Sequence, residues 1–171
     1  MLNLMYITNQ PEVAKIAVSC GVQRIFIDME VVGKAKRQGG MDTVQCSHTV
    51  RDVVNMRREL PDATILVRCN PIHENVKGFL NSKEEIDAIV CAGADIIMLP
   101  YFKTKEEVET FVSLVGGRAK TMILIETVDA VNNIDEILNV DGVDEYFIGL
   151  NDLSLGMGKN FMFEILAHAQ T

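Results

Sequence analysis

Apolar residues in this chain gather in six short runs, at residues 2–7, 24–28, 63–68, 95–99, 122–125 and 146–148, and between the runs they recur at steps of three and four. Continuous runs predict strands buried on both faces, and the wider spacing predicts helices. Pro11 suits the first turn of a helix through Val13, Ile16 and Ala17 that ends near Cys20 and Gly21. A second helix starts near Ser47 or Thr49, runs through Val50, Val53, Val54 and Met56 to Leu60, and stops at Pro61. Ser82 with Glu85, and Thr104 with Glu107, read as capping boxes, in which a side chain and a backbone amide at each position bond reciprocally. The helices they open carry Ile86, Ile89 and Val90 in one case and Val108, Phe111 and Val112 in the other, with Gly93 and Gly116-Gly117 as terminators. Val131, Ile134, Ile137 and Leu138 predict a further helix, and residues 161–169 a last one. Residues 33–47, polar and glycine-containing, read as a loop, and 70–81 as a long connection.

Strand and helix alternate throughout, which predicts a parallel sheet whose strands all end at one rim, where α/β folds place their sites. Polar or proline-marked residues follow every strand but the first, the mark of a (β/α) barrel ringed by strand ends; a doubly wound open sheet is the other reading. A closed eightfold barrel takes about 250 residues, and this sequence has 171.

Composition narrows the function. With 48% hydrophobic residues the chain can bury the core of one domain. Twenty-four acidic against sixteen basic residues, a formal charge of -8, argue against nucleic acid as a partner. The compact basic cluster of Lys34, Lys36 and Arg37 is too small to track a phosphate backbone. Cys20, Cys46, Cys69 and Cys91 show neither CxxC nor zinc-ligand spacing, which suits a reducing cytoplasm. No apolar run approaches a membrane span, the first residues lack the basic start of a signal peptide, and there is no GxGxxG or Walker A loop. The nine methionines fall mainly at apolar positions and read as core.

Candidate chemistry sits at the predicted rim. Glu126 follows the fifth run and Asp152 lies just past the sixth, so one βα unit separates two carboxylates able to share a divalent cation or divide acid and base roles. Each has a plain alternative: Glu126 as a helix-start acid, and Asp152 as a cap in the turn-like Asn151–Ser154 stretch. Arg68, ending an apolar strand, needs a partner, either a substrate carboxylate or a structural ion pair with Asp28 or Glu30. His48 and His73, in or beside rim loops, are candidate proton shuttles or surface residues, and His168 reads as surface. Gly149, Gly156 and Gly158 would let backbone approach a small ligand closely.

The segments ILVR, AGADIIMLP, IETVDAVNNIDEIL and GVDEYFIGLNDLSLGMG resemble the family of 2-keto-acid aldolases and citrate lyase beta subunits, (β/α)8 barrels of the phosphoenolpyruvate/pyruvate group. The resemblance implies an α/β fold, a TIM-type (β/α)8 barrel truncated to about six βα units, and a cytoplasmic homo-oligomer without a nucleic-acid or membrane partner. It implies that Glu126 and Asp152 bind Mg2+, Mn2+ or another divalent cation, and that Arg68 contacts the pyruvate or enolate oxygens. Gly149, Leu150 and Asn151 would hold the carboxylate of a small 2-oxo acid substrate. The implied reaction is carbon–carbon cleavage or formation in a hydroxy-2-oxo acid through a pyruvate enolate; the alternatives are a citryl or malyl thioester lyase and an inactive scaffold. One departure stands in the second strand loop, where aldolases carry Gly-Glu-His after the aspartate and this chain has Met29, Glu30 and Val31 after Asp28. Proton transfer would then fall to Glu30, His48 or metal-bound water.

Overall fold

A computed structural model describes residues 2–33, 46–74 and 76–167. Lys34, Lys36 and Arg37, His168 and most of the 33–47 loop lie outside the described residues. Six strands form one sheet, β1 (Met5–Ile7), β2 (Arg24–Asp28), β3 (Thr64–Arg68), β4 (Ile96–Leu99), β5 (Lys120–Ile125) and β6 (Glu145–Ile148). They lie in sequence order and every neighbouring pair is parallel. Sequential order with helical crossovers is the connectivity of a barrel wall rather than a doubly wound sheet, whose order reverses at a switch point.

Side-chain alternation sorts the sheet into two cores. Ile25, Ile27, Ile65, Val67, Ile97, Leu99, Ile123 and Ile125 face out under the helices, where they join Met56, Ile89, Phe111 and Val115 in a single buried cluster. Phe26, Leu66, Ile96, Met98, Met122 and Leu124 form a second buried cluster on the opposite, concave face. This is why the runs of β2 to β5 show no polar alternation: both faces are dry. β1 and β6 depart from that expectation, because Tyr6, Ile7, Tyr146, Phe147 and Ile148 are exposed on the two edge strands. Across the concave face, at the end away from the predicted rim, Arg24 of β2 makes a two-pronged ion pair with Glu145 of β6, at 2.5 and 2.8 Å. The sheet is therefore a curled half-barrel with helices outside.

The helices follow the sequence reading with three corrections. α1 (Pro11–Ser19), α2 (Val50–Glu59) and α4 (Lys105–Val115) form as expected, α2 and α4 under capping boxes at Thr49 and Thr104. For α3 (Ser82–Cys91) the box belongs one residue earlier: Asn81 accepts from the Glu84 amide at 3.0 Å, and Ser82 and Glu85 are buried. The predicted helix around Val131–Leu138 is broken at Asn133 into α5 (Val128–Asn132) and α6 (Ile134–Ile137), and the Asn133 side chain donates to the Lys103 carbonyl. After α7 (Leu150–Gly156) the chain forms a 3₁₀ helix at Met162–Ala167 in place of a terminal α-helix. The first strand is shorter than the apolar run that predicts it, since Leu4 spends its amide on the Gln23 side chain. No helix among the described residues is long and apolar enough to cross a membrane.

Candidate active site

Adjacent strands deliver the first half of the site. Asp28 and Arg68 end β2 and β3 in direct register. The guanidinium donates from Nε to Asp28 Oδ1 at 2.8 Å and from Nη2 to Oδ2 at 2.7 Å, and Glu30 Oε2 stands 3.5 Å from Nε. Phe26, two residues before Asp28 on the concave face, lies under the guanidinium carbon at 5.6 Å from its ring centre. Asp28 and Glu30 are almost fully buried. Burial works against the arginine's charge, but the carboxylates of Asp28, Glu30 and Glu126 more than offset it and hold the proton firmly. The structural ion pair anticipated for Arg68 is thus present, and it includes both acids.

The second half comes from β5 and β6. Ile125 pairs with Ile148, so Glu126 and Gly149 leave the sheet side by side. Glu126 is not the first residue of a helix: Thr127 caps α5, accepting from the Ala130 amide and donating to the Phe102 carbonyl. Glu126 turns inward instead, buried, with Oε1 receiving the Tyr101 amide at 3.0 Å. Burial, followed by the charges of Glu30 and Asp152, pushes its carboxyl up to about 8, against the lowering pull of Arg68 and the Tyr101 N–H. Glu126 therefore feels Glu30, Asp152 and Arg68 together at one rim. Asp152, in the first turn of α7, joins Glu126, Tyr101, Lys103 and Asp129 around a cleft of about 340 Å3.

Two features here escaped the sequence reading. Tyr101 has φ of +49°, the one non-glycine residue with positive φ among the described residues. A left-handed tyrosine costs on the order of 1–3 kcal/mol and persists where surrounding contacts over-determine it; this turn aims its amide at Glu126. Pro100 before it marks a turn but gives no sign of that handedness. Asn70, the other, accepts the amides of Val31 and Val32 at 2.8 Å on one side chain oxygen and so ties the loop after β2 to the end of β3.

The remaining expected residues are placed as follows. His48 Nδ1 accepts the Asp28 amide at 3.0 Å, which puts the ring proton of a neutral imidazole on Nε2. Its ring lines a neighbouring cavity and not the Glu126–Asp152 cleft. His73 sits between the carbonyls of Pro71 and Leu80 and pins the 70–81 connection. Gly149 donates its amide to the Ile125 carbonyl at 2.9 Å, so that N–H is already engaged. What Gly149 contributes is absence of bulk: a Cβ there would fall 2.7 Å from Glu126 Cβ and 2.8 Å from Oε2. Gly149→Ala is expected to displace the carboxylate and cost about 1–3 kcal/mol as overpacking, read as a lower thermal midpoint together with weaker divalent-cation binding. Leu150 and Asn151 follow in the first turn of α7, where helix amides lack intrahelical partners.

The donor set suits a hard divalent cation. Glu126 and Asp152 bring two carboxylates to one cleft, and Mg2+ is commonly held by one or two carboxylates with the balance of its shell from water and substrate. Burial first, and then the charges of Glu30 and Asp152, press Glu126 toward its protonated form, and a bound cation would oppose that pressure. No group of three or more His, Cys, Asp or Glu residues among the described residues is placed to hold a metal, so substrate and water would have to complete the shell.

Comparison with known proteins fits this geometry. A hydroxypyruvate/pyruvate aldolase of Rhizorhabdus wittichii is 33% identical over a match covering 48% of this chain and 44% of the relative. The chain thus spans less than half the length of that relative. Among solved structures, the citrate synthase SbnG matches with a TM-score of 0.73 at 18% identity, over 98% of this chain and 69% of that one. An HpcH/HpaI aldolase from Desulfitobacterium hafniense matches with a TM-score of 0.67 at 19% identity, over 94% and 67%. At those identities the structural likeness speaks for the fold, a TIM-type barrel wall. The family model for HpcH/HpaI aldolase/citrate lyase matches residues 3–164, and the chain belongs to that family.

Proposed function

We propose that this chain carries the site of a divalent-metal-dependent lyase that cleaves or forms a carbon–carbon bond in a small hydroxy-2-oxo acid through a pyruvate enolate. The observation that carries the reading is Glu126: a buried carboxylate beside Asp152 and within electrostatic reach of Arg68. Glu126 and Asp152 would hold the cation, which would supply Lewis-acid polarisation of the keto oxygen. Arg68, fixed by Asp28, adds a preorganised positive charge against the oxygens on which negative charge develops. The amides of Leu150 and Asn151, in the first turn of α7, would orient the substrate carboxylate.

In the cleavage direction the C4 hydroxyl gives up its proton, the C3–C4 bond breaks, the aldehyde leaves, and the bonding pair remains as the enolate, which is then protonated at C3. Of the two side chains expected to move that proton, Glu30 acts on both Arg68 and Glu126, while the Nδ1 lone pair of His48 is committed to the Asp28 amide. Glu30 is accordingly the proposed acid–base group, and His48 positions Asp28. Aldol chemistry ranks above thioester cleavage because the aldolase of Rhizorhabdus wittichii is named for hydroxypyruvate and pyruvate.

The test is pyruvate release from a 4-hydroxy-2-oxo acid, with Mg2+ or Mn2+ and with chelator. Metal-dependent release that Glu126→Gln abolishes is the expected result. Release unaffected by both chelator and that substitution would sink the proposal.

A further inference from the structure

Glu30, the proposed acid–base group, lies just past the end of β2, in backbone that has left the sheet. The Met29 amide still donates to the Arg68 carbonyl at 3.0 Å, in continuation of the β2–β3 ladder. The Glu30 amide donates to Asp28 Oδ1 at 3.2 Å. Beyond it a side chain takes the place of the ladder acceptor: Asn70 Oδ1 receives the amides of both Val31 and Val32 at 2.8 Å. The backbone around Glu30 is thus held on both sides, by β3 itself before it and by Asn70 after it. Asn70 is buried and stands two residues after Arg68, so the strand end that carries the cation also holds the loop that carries the acid.

Asn70 can do this in one orientation of its amide group. Its Oδ1 offers two lone pairs, and the two loop N–H groups use them. Rotated by half a turn, the side chain would set its own NH2 against those donors. Glu85, in the first turns of α3, fixes the choice: its Oε1 accepts from Asn70 Nδ2 at 2.8 Å and from the Asn70 backbone N–H at 3.1 Å. An amide oxygen turned toward that acceptor would find no donor there. Glu85 is buried as well, so water competes little for these bonds. One chain of hydrogen bonds therefore joins α3 to the end of β3 and to the loop after β2, and it ends at the residue next to Glu30.

We infer that Asn70, oriented by Glu85, is a positioning residue that sets Glu30 against the reacting atoms. The inference rests on the lyase reading and on Glu30 as its acid–base group. Asn70 acts on turnover and not on binding. Displacing a proton-moving group by about 1 Å can cost on the order of 10²-fold in rate. The groups assigned to the cation and the substrate carboxylate belong to other elements, Glu126 to the end of β5 and Leu150, Asn151 and Asp152 to α7.

The experiment is a double-mutant cycle on pyruvate release from a 4-hydroxy-2-oxo acid with Mg2+, using the intact chain, Asn70→Ala, Glu30→Gln and the two together, each normalised to its folded fraction. Asn70→Ala is expected to lower kcat by about 10–100-fold, with KM and the Mg2+ dissociation constant within about twofold of the parent. In the Glu30→Gln background the same substitution should change kcat by less than about twofold, because the group it positions is already gone. A merely structural role would give the same loss in both backgrounds. Glu85→Met, which removes the acceptor at the far end of the chain of bonds, should show the same pattern with a smaller loss, and it carries the test if Asn70→Ala does not fold. The inference alone is overturned if the parent releases pyruvate and Asn70→Ala keeps kcat within about twofold, or if either variant loses equally in both backgrounds. Absence of metal-dependent release by the parent overturns the lyase reading, and the inference with it.

Discussion

Arg68→Met is expected to lower the unfolding free energy by about 3–5 kcal/mol, the usual result of removing one partner of a buried ion pair. Asp28 and Glu30 are 2% and 1% exposed, so neither can recover solvation once the guanidinium is gone. Two of the five guanidinium N–H groups are committed to Asp28, which makes the loss geometric as well as electrostatic. Arg68→Lys keeps a charge but not the fork, and its expected cost is intermediate. Urea unfolding measures both, as a shift of the midpoint without change in slope. If the methionine variant lost less than about 1 kcal/mol, in the range of an exposed pair, the trio would not be the dry ion cluster described. Turnover assayed on the folded fraction should fall further, by about 10²–10³, since Arg68 is also the preorganised cation of the proposed reaction.

The second large effect is a stability that falls with pH. Glu126 is raised from its ordinary value of 4.5 to about 8 in the fold. A carboxyl raised by folding keeps its proton longer in the native chain than in the unfolded one. Its contribution is therefore whole below 4.5 and is lost as pH rises through about 8. Without divalent cation, the group should remove up to about 1.4 kcal/mol of stability per pH unit across that window. Glu126→Gln removes this slope and should be more stable than the parent chain at pH 8 in chelator. Saturating Mg2+ should flatten the slope in the parent and leave the glutamine variant unchanged. Because the ligand must be ionised, cation affinity should climb by about tenfold per unit toward pH 8. Thermal midpoints at several pH values, with chelator and with Mg2+, distinguish these outcomes; parallel slopes for parent and variant would remove Glu126 from the titration.

What the residues disclosed in advance depended on how local the cause was. Strands β2 to β5 were legible because dry faces on both sides leave a run of apolar letters, as in Ile25-Phe26-Ile27. The Thr104 box was legible because its bonds close within four residues. The Ser82–Glu85 box fell one residue out of place, because Glu85 is buried against Asn70, a contact fifteen residues away that the local sequence does not show, and Asn81 with Glu84 caps α3 instead. Glu126, Asp152 and Arg68 could be placed at one rim from strand order alone. That Glu30 joins them could only be posed as an alternative, and that Tyr101 would present its amide from a left-handed turn left no trace in the letters. Gly149 read as room for a ligand, and its neighbour is a side chain of the chain itself, Glu126.

The Arg24–Glu145 pair has a consequence for how the chain assembles. Every strand pairing joins consecutive strands, so the wall can grow one unit at a time, with each addition closing only a short loop. Arg24 and Glu145 stand 121 positions apart, the widest separation among the ion pairs of the described residues, and they meet only after β2 and β6 are both in place and the sheet has bent. Such a clasp is expected to close late, beyond the rate-limiting barrier, so that its removal should speed unfolding and leave the folding rate nearly unchanged. On that expectation it would govern how long the curvature lasts once formed and hardly at all how quickly the chain reaches it.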